Sequence, residues 1–134
     1  MGFIEIKGVI NNMRIYIGSF DYVDKYIKDG LIPISIDNQK PSTFNGLEIS
    51  YLKPDIDSTY KLKNGIMTED EFEKKYIDNL DRNKVYKYLL NLKRQYNNTS
   101  VILLSKESNY QFSHRKIFAK YVKDNFNVIV SEYD

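Results

Sequence analysis

The chain has 134 residues, with 20 Lys and Arg against 18 Asp and Glu and no cysteine, and we expect a single domain over residues 1–134. The missing cysteines exclude disulfides, thiolate catalysis and cysteine zinc sites, and the nearly balanced charge does not favour a polyanionic partner such as nucleic acid. We find neither a signal peptide nor an apolar run of the roughly 20 residues that span a membrane, so we expect a cytoplasmic protein.

The first third of the chain predicts a strand, a helix and a second strand. Residues 1–12 alternate apolar and polar side chains, which fits an edge strand or a leading arm. An apolar run over 13–17 predicts the first full strand, and the apolar spacing in 19–30 predicts a helix. Residues 31–36 form the next strand, in which Pro33 argues against a fully paired central position unless it precedes the ladder. This order makes a right-handed βαβ unit.

The middle of the chain predicts an irregular segment followed by two helices. Residues 37–63 have no clear period, so we expect a long excursion with a short strand over 47–52 as its one regular part. Thr68 and Glu71 have the spacing of a capping box, which opens the first of the two helices. The second helix covers about 82–96.

The last third predicts a buried strand, a helix and a closing strand. Residues 101–104 are a short apolar run with β-branched members, as in a strand covered on both faces. Apolar residues in 113–122 then fall on one helical face, with Ser113 as the N-cap, and 127–130 form the closing strand. The whole order predicts an α/β, Rossmann-like three-layer sandwich with a mostly parallel sheet of about four or five strands.

Polar residues follow the carboxyl ends of three of these strands. In open parallel sheets ligands bind outside those ends, so we expect the three loops to converge on one site. The sequence has neither metal-ligand spacing nor a glycine-rich phosphate loop, and we therefore expect no metal and no cofactor. The residues expected to bind a ligand are Ser19, Ser35, Asp37, Ser105, Lys106, Ser113 and Arg115.

The one histidine of the chain, His114, stands at the opening of the last helix. The positive end of a helix disfavours imidazolium, which leaves a neutral donor or base, and it attracts anions. Arg115 would hold such an anion with its planar fork. Glu107 would act as an acid or base, or would accept a hydrogen bond from a ribose hydroxyl. His114 and Glu107 are therefore the expected catalytic pair if the protein is an enzyme.

Each of these residues also has an ordinary structural role open to it. Ser113 would then only cap the helix, and His114 would bond a backbone carbonyl. Arg115 would lie at the surface, and Glu107 would pair with Lys106 or Arg115. Most of the 12 tyrosines are expected in the core; three that would stack on a base are Tyr16, Tyr51 and Tyr110.

Two stretches near the C-terminus, LLSKE and SHRKIFA, resemble the signature of the family called domain of unknown function 488. That family shows LLC-x-E followed by CHR and a small residue four positions on; the matching positions are Leu103, Leu104, Glu107, His114, Arg115 and Ala119. Ser105 and Ser113 stand where the family usually has cysteine. Weaker likeness continues over nearly the whole chain from Arg14 onward.

The family has no agreed activity, so the resemblance implies a fold and a site more than a reaction. Where the family's cysteines carry thiol chemistry, this chain has lost it at both positions, because a serine titrates far too high to act as a thiolate. The two serines thus favour ligand binding, or acid–base chemistry without a covalent step.

Four functions remain open on the sequence, of which nucleic-acid binding is possible but the least favoured. The first is a domain that binds a small anionic, nucleotide-like molecule at the carboxyl edge of the sheet. The second is a metal-independent hydrolase or lyase that acts on a nucleotide-like substrate through His114 and Glu107. The third is a phage-type interaction or inhibitor protein with a degenerate pocket, which would bind its partner through 37–63; the Lys-, Asn- and Ile-rich composition suits a phage or a low-GC bacterium.

Overall fold

The computed structural model describes residues 14–97, 99–108 and 111–133. The predicted arm at 1–12 and the predicted stacking residue Tyr110 lie outside these ranges. The strands are β1 (Ile15–Ser19), β2 (Ile32–Ser35), β3 (Leu47–Glu48), β4 (Val101–Ser105) and β5 (Ser131–Glu132). The α-helices are α1 (Val23–Lys28), α2 (Ile56–Lys63), α3 (Glu69–Asp78), α4 (Arg82–Gln95) and α5 (His114–Phe126). Short 3-10 helices cover Phe20–Tyr22 and Ser50–Leu52.

The five strands form one parallel sheet in the order β3-β2-β4-β1-β5. Helix α1 covers one face of the sheet, and α3, α4 and α5 cover the other. This arrangement confirms the predicted α/β, Rossmann-like three-layer sandwich. Strand β4 lies at the centre, where parallel strands are covered on both faces and become apolar throughout.

The side chains of β4 alternate between the two faces. Val101 and Leu103 pack into the larger core with α3, α4 and α5, whereas Ile102 and Leu104 pack into the smaller core under α1. All four are completely buried. Pro33 of β2 pairs with Ile102 of β4. The pairing of β2 with β3 begins one residue later, at Ile34, so the proline lies where β2 has a single neighbouring strand.

Helix α1 approaches the sheet closely because β1 contains a glycine. A Cβ atom at Gly18 would lie 2.6 Å from the hydroxyl oxygen of Tyr26 and 2.9 Å from the Cδ1 of Ile102. Tyr26 is 1% exposed and lies at the centre of the smaller core. The predicted first helix and its packing face therefore depend on the absence of a side chain at Gly18.

The segment 37–63 is more regular than the sequence predicted. It contains β3 and also α2, whose N-cap Asp55 accepts a hydrogen bond from the Ser58 amide at 2.7 Å. Helix α2 has no complete apolar stripe, because Ile56 and Tyr60 are 74% and 61% exposed. Without that stripe the periodicity did not reveal the helix.

The closing strand also differs from its predicted position. Strand β5 is Ser131–Glu132 and pairs with Tyr16 and Ile17 of β1, whereas residues 127–130 connect it to α5. Asn127 ends α5 in the left-handed conformation with φ of 54°. Val128 and Val130 are buried as the sequence indicated, but in the connection and not in the strand.

Candidate functional site

The crevice between β2 and β4 is the place where this topology favours ligand binding. From β2 the chain continues to β3 on one side, and from β4 it continues through α5 to β5 on the other side. Adjacent parallel strands whose connections leave in opposite directions define a topological switch point, outside which ligands of open α/β sheets bind.

A groove and a narrower cavity lie at this switch point. The groove has a volume of about 610 Å³ and is lined by side chains that include Lys63, Glu69 and Gln111. The cavity has a volume of about 40 Å³ and is lined by Asp37, Ser113 and His114 among others. The two share five lining residues, which are Thr59, Leu62, Lys106, Glu107 and Phe112. We call the first the outer groove and the second the inner cavity.

Asp37 joins the ends of the two strands at the switch point. Its Oδ2 accepts a hydrogen bond from the Lys106 backbone amide at 2.8 Å, and its Oδ1 accepts one from the Gln39 amide at 3.1 Å. The Ser35 hydroxyl oxygen accepts a hydrogen bond from the Asp37 amide at 3.3 Å. The polar residues after β2 and β4 thus converge, as the topology predicted, and Asp37 is only 4% exposed.

His114 lines the inner cavity but is otherwise enclosed. It is 3% exposed, its ring centre lies 5.7 Å from that of Tyr76, and its Nε2 donates a hydrogen bond to the Ile36 carbonyl oxygen at 2.6 Å. A carbonyl oxygen only accepts, so the proton of the neutral ring resides on Nε2. Burial lowers the pKa of His114 below its ordinary value, against the opposing effects of the Asp37 carboxylate, the hydrogen bond to Ile36 and the Glu107 carboxylate.

Arg115 has a different role from the anion clamp expected of it. Its side chain is completely buried, and its Nε donates to Glu132 at 2.9 Å. Its Nη1 donates to the Ser105 hydroxyl at 2.7 Å and to the Glu107 carbonyl at 2.8 Å, and its Nη2 donates to the Ser108 carbonyl at 3.2 Å. Arg115 therefore holds the loop after β4 against β5, and Ser105 serves as one of its acceptors.

Ser19 and Ser35 also support the fold. Ser19 is completely buried, and its hydroxyl oxygen accepts a hydrogen bond from the Asp21 amide at 3.1 Å, which caps the 3-10 helix Phe20–Tyr22. It is the last residue of β1, and it does not line the groove or the cavity. Ser35 is completely buried beneath Asp37. Neither serine is placed to touch a ligand in the switch-point crevice.

Two buried polar atoms near the inner cavity have no hydrogen-bond partner. The Ser113 hydroxyl does not cap α5, contrary to the prediction, because its side chain forms no bond to the first turn, and it is 2% exposed. The Oε1 atom of Glu107 is also unpartnered and lies 4.0 Å from the Nη1 of Arg115. Both residues line the cavity. Buried polar atoms are nearly always hydrogen-bonded, so these two atoms distinguish the cavity from an ordinary packing gap.

Helix α2 forms one wall of the outer groove, and the sequence did not predict this wall. Thr59, Leu62 and Lys63 all lie on this helix and line the outer groove. The signal was present in Asp55 and Ser58, since an aspartate three residues before a serine at a helix start is a common N-cap arrangement. Phe112 was also missed, and it packs edge-on against Phe72 with ring centres 5.8 Å apart.

No protein-family model, curated protein or solved structure matches this chain. Within residues 14–97, 99–108 and 111–133, no group of three or more histidine, cysteine, aspartate or glutamate side chains is placed to hold a metal ion. A search of the same ranges finds no helix with the length and apolar character needed to cross a membrane.

Proposed function

We propose that this chain is a small-molecule-binding domain whose ligand occupies the outer groove and the inner cavity. One observation carries the proposal: at the switch point, Ser113 Oγ and Glu107 Oε1 are buried beside a cavity with no partner. A buried polar atom without a hydrogen bond costs about 1–3 kcal/mol. A bound molecule that supplies those hydrogen bonds recovers this free energy.

The outer groove suits an anionic, nucleotide-like ligand. Its volume of about 610 Å³ is that of a small-molecule site. Lys63 and Lys106 stand in its wall beside Glu69 and Glu107, so each end of the groove that presents a lysine offers positive charge to a phosphate. The ring of Phe112 offers a face or edge for a base. Carboxylates in the site match ribose hydroxyls, which donate hydrogen bonds.

The proposal includes a relation to the family called domain of unknown function 488. Of the two positions where that family usually has cysteine, Ser105 is occupied by its hydrogen bond to Arg115. Ser113 instead lines the inner cavity with a hydroxyl that has no partner. Of these two positions, Ser113 is the one that supports the proposal.

The experiment is to denature the purified protein and identify any released small molecule by mass spectrometry. In parallel, nucleoside monophosphates are tested for an increase in the melting temperature of the protein. We expect a stabilising nucleotide whose effect falls in the double variant Lys63→Ala/Lys106→Ala and persists in the control Lys87→Ala, which changes an exposed lysine on α4. The proposal would be contradicted if no small molecule were released and no nucleotide raised the melting temperature.

A second candidate is a metal-independent hydrolase or lyase acting on the same ligand. The observation that favours it is the unpartnered Glu107 Oε1 in a cavity shared with a neutral imidazole, the pair an acid–base reaction needs. Turnover separates the two functions. His114→Ala and Glu107→Ala abolish product formation in an enzyme, whereas in a binding protein the wild type forms no product and the variants only lose affinity.

A further inference from the structure

We infer that the inner cavity receives a primary ammonium group of the ligand. The inference rests on the proposed function. It adds the chemical class of the group that the ligand places in the inner cavity, which the sequence did not define. It follows from the charge, the hydrogen-bonding capacity and the size of the cavity, and from the unpartnered Ser113 hydroxyl, which is 2% exposed.

Carboxylates outnumber ammonium groups among the side chains that line the cavity. Asp37 and Glu107 each bring a carboxylate, and Lys106 brings one ammonium group. Arg115 donates its hydrogen bonds to Glu132, Ser105 and the loop carbonyls. Its Nη1 lies 4.0 Å from Glu107 Oε1, which leaves that oxygen without a hydrogen bond. The Lys106 ammonium donates to the side-chain oxygen of Gln39. An anion inserted here would meet both carboxylates at close range in a poorly solvated place, whereas a cation is attracted by both. The anionic part of the ligand thus belongs in the outer groove.

The side-chain atoms of the cavity that remain free to form hydrogen bonds are mainly acceptors. Glu107 Oε1 accepts only, and each oxygen of Asp37 has accepted one bond and retains a lone pair. The Ser113 hydroxyl can accept as well, and the Nε2–H of His114 is already donated to Ile36. An ammonium group has three donors and no acceptor, so it matches this set better than a hydroxyl, which has one donor.

The size of the cavity limits what enters. About 40 Å³ admits one ammonium group with its adjoining carbon, and no ring. Leu62 and Phe112 line both spaces and offer an apolar passage for the following carbon atoms. Lys63 in the outer groove then meets the opposite end of the ligand. The ligand class is an anionic small molecule that carries a primary amine.

The test is an NMR titration of the full chain with methylammonium chloride at constant ionic strength. Methanol has the same number of heavy atoms without the charge, and acetate has the opposite charge. We expect saturable shifts of the Ser113 and His114 amide resonances in the millimolar range, as befits so small a ligand. Methanol and acetate should bind about tenfold more weakly, because methanol offers a single donor and no positive charge, and acetate offers no donor and is repelled by the carboxylates.

Two variants locate the binding. Glu107→Gln keeps the size of the side chain and should weaken methylammonium binding about tenfold. Ser113→Ala removes an atom that has no partner, so it should fold normally and also weaken binding. Asp70→Asn, an exposed change on α3 outside the cavity, is the control and should leave affinity unchanged.

Equal binding of methanol or acetate, or unchanged methylammonium affinity in both Glu107→Gln and Ser113→Ala, would overturn the inference. A nucleotide that binds the outer groove while methylammonium shifts no resonance would refute the ammonium site alone and leave the proposed function standing. Failure of both ligands would refute both.

Discussion

Arg115 is a charged residue whose side chain is completely buried. Its guanidinium is ion-paired with Glu132 at 2.9 Å, while Glu107 Oε1 lies 4.0 Å away. Removing one partner of a buried ion pair leaves the other charge uncompensated. Because both carboxylates and the loop after β4 depend on it, Arg115 supports the candidate site from behind.

Arg115→Ala should lower the free energy of unfolding by about 3–5 kcal/mol, the usual cost of breaking a buried pair. Urea denaturation followed by circular dichroism measures this loss. Arg94→Ala, which changes an exposed arginine on α4, should stay within about 0.5 kcal/mol of the wild type. A loss below about 1 kcal/mol for Arg115→Ala would mean that the guanidinium is not the support described.

His114 makes stability depend on pH. Burial lowers its pKa below the ordinary value of 6.5, so between the two values the unfolded chain binds a proton that the folded chain does not. The free energy of unfolding therefore falls as the pH drops below about 6.5. His114→Gln should reduce this loss between about pH 7 and 5.5, because its amide can still donate to Ile36 but does not titrate.

Direct titration of the imidazole by NMR checks this expectation without ambiguity, since the chain has one histidine. A midpoint at or above 6.5 in the folded protein would contradict the enclosed, neutral ring.

At the residue scale the sequence indicated where polar groups gather but not which way each side chain turns. Asp37, Lys106 and His114 meet at the cavity because they follow β2 and β4, which topology alone predicts. Arg115 turns away from the cavity because Glu132, on a strand 17 residues later, offers it a carboxylate. Such a partner is known only once the sheet order is known.

Helix α3 begins at the capping box that the sequence predicts. The Thr68 hydroxyl accepts a hydrogen bond from the Glu71 amide at 3.1 Å, and the Glu71 carboxylate accepts one from the Thr68 amide at 2.9 Å. These are the two bonds of the predicted capping box. The helix then buries Phe72 and Tyr76, whose hydroxyl donates to the Leu52 carbonyl at 2.7 Å.

Thr68→Ala should destabilise the protein by about 1 kcal/mol, because an N-terminal amide of the helix loses its acceptor. Thermal and urea unfolding measure the change, and Thr68→Ser, which keeps the hydroxyl, is the matched control. An unchanged Thr68→Ala protein would show that α3 is held by its packing alone.

The contact between α1 and β1 gives a second prediction at this scale. Gly18→Ala would place a methyl group 2.6 Å from the Tyr26 hydroxyl oxygen, so the helix must move or the tyrosine must tilt. Overpacking of this kind costs about 1–3 kcal/mol. Gly18→Ala/Tyr26→Phe, which removes that oxygen, should recover part of the loss; a neutral single variant would contradict the close approach.

The sequence predicts those helices and strands that have an apolar period or a capping motif of their own. Strand β4 and helices α3, α4 and α5 were predicted because each has an apolar pattern of full length. Helix α2 was missed because its exposed Ile56 and Tyr60 hide its period, and β5 was misplaced because buried Val128 and Val130 read as a strand. Burial and strand pairing are separate properties, and a sequence pattern reports the first.

For the whole molecule, the strand order determines where a ligand can bind. The chain runs from β2 toward one edge of the sheet and from β4 toward the other, which opens the crevice between them. The sequence predicted the α/β class and the edge of the sheet at which the polar residues of β2 and β4 converge. It did not predict the strand order, because two-residue strands such as β3 and β5 have too little pattern to assign.

The most direct test of the small-molecule site is amide chemical-shift mapping of the labelled protein with the nucleotide that gives the largest increase in melting temperature. Saturable shifts centred on Asp37, Lys106, Ser113 and His114 are the predicted result. Shifts centred on the groove of about 700 Å³ beside α1, lined by Phe20 and Phe44 among others, or no saturable shift at all, would contradict a ligand between β2 and β4.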